Sequence, residues 1–156
     1  PNDQSVSRSM IPDKDAEVHE QSFVNSFIYK GYRERLSFEL RKRRGDFLGR
    51  FCHDALSYLD SRFVIEIRRP NSSRAEIFSE LKRRGAKDSC YAISSSDEIH
   101  GRKLPLADAL SIAVGLGLAS VLSCIPGEVA YLETEQVAGP PDRFVLFRSR
   151  LSQASN

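Results

Sequence analysis

Residues 63–93 read FVIEIRRPNSSRAEIFSELKRRGAKDSCYAI, and the fold class turns on this stretch. Phe63, Ile65 and Ile67 alternate with Val64 and Glu66, the period-two signature of a strand. Pro70, Asn71, Ser72 and Ser73 interrupt it, and then Ile77, Phe78 and Leu81 recur at helical spacing. Ser73 with Glu76 has the spacing of a capping box, and Gly85 after Lys82, Arg83 and Arg84 supplies a C-terminal stop. Residues 90–93 are a short apolar run that predicts a second, buried strand. Strands joined through a helix normally run parallel with a right-handed crossover, so an α/β chain is expected.

Towards the C-terminus, a polar loop over residues 94–100 leads to Pro105, which opens a helix carrying Leu106, Ala109, Leu110 and Ala113 on one stripe. Residues 121–125 and 129–132 predict strands flanking Pro126 and Gly127, the pair a type II turn wants at its centre. A loop with Gly139, Pro140 and Pro141 precedes a last strand over residues 144–147. Towards the N-terminus, Leu36, Leu40, Phe47, Phe51, Ala55 and Leu59 predict two helices, or one bent helix, joined near Gly45. Residues 23–32 fit a short strand or a loop. Residues 1–21 are polar and aperiodic, which predicts a disordered or loosely docked tail. The expected organisation is that tail, a single α/β domain over 22–150 and a polar end over 151–156. The domain should hold one mixed sheet of about four to six strands with helices packed on it, an N-terminal helical segment and a C-terminal β-hairpin; α+β is the alternative.

The chain has 156 residues, 40% hydrophobic and 28% charged, with no 18-residue apolar run, so a soluble, cytoplasmic protein without a membrane span is expected. Cys52, Cys90 and Cys124 are odd in number and widely spaced, which predicts reduced core thiols in place of a disulfide framework or zinc site. No HExxH, CxxC or Walker-type lysine motif is present, so neither a cofactor nor a metal is expected. The net charge of +2 hides a local bias: residues 30–87 hold 16 Lys or Arg against 8 Asp or Glu, making this segment basic.

Three constellations carry chemical possibilities. Arg41, Lys42, Arg43 and Arg44 form the densest cationic run, with Tyr29, Tyr32 and Phe38 nearby, and suit an acidic protein or nucleic acid. The bland counterpart is a solvated helix face, and no RRM-type, KH-type or zinc-finger signature accompanies the run. Arg68 and Arg69 precede Ser72 and Ser73 at a helix start, where free amides and guanidinium groups favour a phosphate or carboxylate, unless the serines merely cap the helix. Asp97 and His100, in the loop after the next strand, would share that sheet edge and supply acid, base or ligand groups, unless they simply make a turn. A thiol pair of Cys124 with His53 or His100 has no local support.

The leading expectation is a non-enzymatic binding or regulatory module engaging an acidic protein or nucleic acid through its basic helical region. The competing one is a small enzyme or anionic-ligand-binding protein with its site at Arg68, Arg69, Ser72, Ser73, Asp97 and His100. A pocket joining those two loops would favour the second.

Overall fold

The computed structural model describes residues 13–150, beginning with helix α1 (Lys14–Phe27). Asp13 caps it, its side chain accepting the N–H groups of Asp15 at 3.0 Å and Ala16 at 3.4 Å. The inward stripe is His19, Glu20, Phe23, Val24 and Phe27. Residues 14–21, expected in a tail, are therefore the first half of a packed helix. Residues 1–12 and 151–156 lie outside the described residues. The strand or loop expected over 23–32 is instead the end of α1, a single antiparallel bridge from Ile28 to Leu59, and a 3-10 turn at Lys30–Tyr32.

The helical stretch over 33–59 resolves into α2 (Arg33–Lys42), α3 (Arg44–His53) and the single turn α4 (Ala55–Tyr58). The chain breaks at Arg43, whose φ of −137° and ψ of 60° are not helical, two residues ahead of Gly45. Then follow β1 (Val64–Glu66), α5 (Arg74–Arg83), β2 (Ser89–Ser94), β3 (Lys103–Pro105) and α6 (Leu106–Ala113). The chain ends in β4 (Ser120–Ile125), β5 (Val129–Glu133) and β6 (Arg143–Phe147). Ser73 caps α5 by accepting the Glu76 N–H at 3.2 Å. Gly127 sits in the β4–β5 turn with φ +70°, and Glu128 N–H closes the turn on Ile125 O at 3.0 Å. A side chain at Gly127 would also strike Ser26 of α1, since an added Cβ would lie 2.6 Å from its Oγ.

The six strands form one sheet in the order β1-β6-β5-β4-β2-β3, and every pairing is antiparallel. The single sheet, the helices packed on it, the N-terminal helical segment and the terminal hairpin match expectation; the parallel pairing of β1 with β2 does not. These strands do run the same way, but β6, β5 and β4 lie between them. The β4–β5–β6 meander folds back through two direct connections, which forces antiparallel neighbours, and α5 carries the chain across the whole meander. Four inter-strand steps separate β1 from β2 by about 19 Å.

Side-chain alternation makes two cores. Tyr91, Ile93, Val121, Ala130, Leu132 and Leu146 face α1–α4, while Cys90, Ala92, Leu122, Cys124, Tyr131 and Val145 face α5 and α6. Because both faces are covered, β2, β4 and β5 read as nearly continuous apolar runs. No helix among the described residues is long and apolar enough to cross a membrane.

Candidate polyanion-binding surface and the loops at the sheet edge

Helix α2 sorts its residues by turn. Leu36, Glu39 and Leu40 face inward, and Glu34, Arg35, Phe38, Arg41 and Lys42 share the outer face. Buried Glu39 accepts from Arg35 at 3.3 Å and from Arg50 at 3.1 Å, and the second bond ties α2 to α3. The four consecutive basic residues divide at the break between these helices. Arg41, Lys42 and Arg43 are exposed. Arg41 Nε donates to Ser37 O at 3.3 Å, and Arg43 lies 3.8 Å from Asp46. Arg44, the first residue of α3, points back to the sheet and forks onto Glu20, with Nη1 to Oε1 at 2.9 Å and Nη2 to Oε2 at 3.2 Å.

That fork belongs to a buried network that the sequence does not announce. Tyr91 on β2 donates its hydroxyl to Glu20 Oε1 at 2.8 Å. Burial pushes the Glu20 carboxyl above its ordinary range, against the pull of Tyr91 and Arg44, and burial together with Glu20 pushes the Tyr91 phenol up to about 12. His100 Nδ1 accepts the Ser94 N–H at 3.1 Å, which in the neutral ring places the proton on Nε2. Nε2 therefore meets Arg44 Nη1, 3.5 Å away, as a neighbour and not as an acceptor. Burial and the Arg44 charge hold this imidazole below its usual range. His19, hydrogen-bonded to Ser123 at 2.7 Å and stacked on Tyr91 at 5.5 Å, is lowered by burial as well. The one signal available in sequence was the i,i+4 spacing of His19 and Glu20 to Phe23 and Val24, which continues the apolar stripe with polar groups.

The turn after β1 is built differently. Arg68 is exposed and paired with Glu66 at 3.0 Å, Arg69 is exposed, and Ser73 serves as the cap of α5. Ser72 contributes its carbonyl to Arg143 Nη1 at 2.7 Å. Arg68, Arg69, Ser72 and Arg143, but not Ser73, line a groove of about 290 Å³, in which Glu66 and Asp142 stand beside the arginines. Arg143 is further held by fully buried Glu133 at 2.9 Å. Asp97 is exposed in the loop after β2, near His100. This loop leaves the same sheet edge as residues 68–73, but the width of β6, β5 and β4 lies between, so no common pocket assembles from Arg68, Arg69, Ser72, Ser73, Asp97 and His100.

The cysteines are free and buried. Burial raises the thiols of Cys52, Cys90 and Cys124, that of Cys90 to about 12, which suppresses the thiolate. Cys124 packs on the α5–α6 side of the sheet, whereas His53 ends α3 on the other side and pairs with Glu135 at 3.2 Å. No cluster of three or more His, Cys, Asp or Glu residues suited to a metal ion occurs among the described residues. No family model, curated protein or solved structure matches the chain.

Proposed function

We propose that this chain is a non-enzymatic binding or regulatory module that engages an acidic partner, protein or nucleic acid, through the outer face of α2 and its junction with α3. The observation that carries this reading is the exposure of Arg41, Lys42 and Arg43 side by side, with Asp46, at 3.8 Å from Arg43, the one carboxylate in ion-pair range among the described residues. Cations left this lightly matched keep their charge available to an incoming polyanion. In the β1–α5 turn, Arg68 is paired with Glu66, Glu66 and Asp142 line its groove, and its loop stands apart from Asp97 and His100. A reducing, cytoplasmic setting suits the three free thiols.

Charge reversal at Arg41, Lys42 and Arg43 tests the proposal. Arg44 is left unchanged, because reversing it would set a carboxylate against Glu20. Fluorescence anisotropy with labelled polyglutamate and labelled oligonucleotides should show binding by the unmodified protein that weakens steeply with salt, and loss of that binding in the reversed protein. Equal binding by the two proteins, or none by either, would discard the proposal.

A further inference from the structure

Resting on that reading, we infer that the acidic partner is single-stranded nucleic acid, with a base stacked on Phe38 and phosphates held by Arg35, Arg41 and Lys42. Phe38 is 49% exposed at the middle of the outer face of α2. Arg35 lies three residues before it, Arg41 three after and Lys42 four after, the spacings at which side chains on a helix are neighbours. The ring is thus ringed by three cations, and Glu34 is the one acid on the same face. Arg35 keeps this role although it touches Glu39, because it uses only Nε for that bond and its side chain is 58% exposed. Tyr32, at the start of α2, is 43% exposed but lies off this face, six residues before Phe38 and braced edge-on against Tyr58 with ring centroids 5.0 Å apart. From Glu34 to Lys42 the face runs about 12 Å.

Shape separates this partner from an acidic polypeptide. A peptide that pairs charges with an apolar anchor needs a cleft for the anchor. The cleft beside α2, lined by Gln21, Val24, Ser37, Leu40 and Arg41 among others, holds about 10 Å³, room for one water. Phe38 is half-exposed on the convex outer face of the helix and is not among the residues that line that cleft. A base with its own π-face fits such a platform, and it must be unstacked from its neighbours to do so, which selects a single strand over a duplex.

Anisotropy titrations with a labelled oligothymidylate, the same length of duplex and labelled polyglutamate test the inference. The unmodified protein should prefer the single strand. Phe38→Ala should weaken that complex by about tenfold, with little change for the duplex or polyglutamate, and Phe38→Tyr should restore it. Because Phe38 is exposed, these variants keep the fold, which circular dichroism verifies. Loss of binding on reversal of Arg41, Lys42 and Arg43, with Phe38→Ala binding as tightly as the unmodified protein, would overturn the stacking inference while leaving the polyanion surface standing. Tighter binding of polyglutamate or duplex would overturn it too. Absence of any binding would remove both.

Discussion

The two helical layers cover opposite faces of one sheet, yet they are built on different chemistry. Under α5 and α6 every inward position is apolar: Ile77, Leu81, Leu106, Ala109, Leu110 and Ala113. Under α1–α4 the aromatic residues Phe23, Phe27, Phe47 and Phe51 share the interior with His19, Glu20 and Glu39. On the α5–α6 face the buried carboxylate, Glu133 beside Tyr131, comes from the sheet and holds Arg143 of the neighbouring strand, while the buried positions of the two helices are apolar. The α1–α4 layer uses buried carboxylates to hold Arg44 and Arg50, and it carries Phe38, Arg41, Lys42, Arg43 and, touching Glu39 through Nε alone, Arg35 on its outside. The difference teaches that a basic segment need not be uniformly available: its cations divide into those wired into the fold and those left exposed to solvent.

The largest effects should come from breaking either apolar interior. Phe23→Ala should cost about 3–5 kcal/mol, and Leu110→Ala about 2–5 kcal/mol, by denaturant titration, because each leaves a cavity on a covered sheet face. A cost under about 1 kcal/mol for Phe23→Ala would mean that α1 is not part of the core.

Next in size is the division of the basic run. Arg44→Ala leaves Glu20 buried without its cation and should cost about 1–3 kcal/mol, less than a fully buried pair because the Arg44 side chain is 42% exposed. Arg41→Ala should change stability by less than about 0.5 kcal/mol. Similar costs at both positions would erase the distinction between wired and available cations.

The smallest effect is on pH dependence. His19 and His100 are both held below an ordinary imidazole, near 6.5, so the folded state favours their neutral forms. Their contribution is present above that value and is lost as pH falls through the lowered folded values. Glu20, raised by burial, acts with the opposite sign: its contribution is present below the ordinary glutamate range and is lost as pH rises through its raised folded value. Comparing the protein with His19→Gln separates the two. The fall in Tm between about pH 7 and about pH 5.5 should be smaller in the variant, because one neutral imidazole no longer has to be protonated. An unchanged fall would remove His19 from the account.

How much was legible follows from the same contrast. The period and caps of α5, the stripe of α6 and the turn at Pro126 and Gly127 are local signals, and the apolar layer consists of little else. Helix α1 was hidden because His19 and Glu20 occupy inward positions where a periodicity count expects apolar residues. Strand β3, three residues ending in Pro105, is too short to show a period. The place of β1 beside β6 is a non-local pairing that residues 63–93 do not encode. Arg44 looked like its three neighbours because the inward turn depends on the backbone break at Arg43, which no residue type there announces.

The most direct test of the central claim is to map where a polyanion touches the protein. Backbone amide shifts should be followed by NMR while oligothymidylate is added to the full chain. The account predicts that the perturbed amides cluster between Tyr32 and Asp46, on the outer face of α2 and its junction with α3. Perturbations centred on residues 68–73 or on Asp97 and His100, with residues 32–46 unmoved, would contradict it.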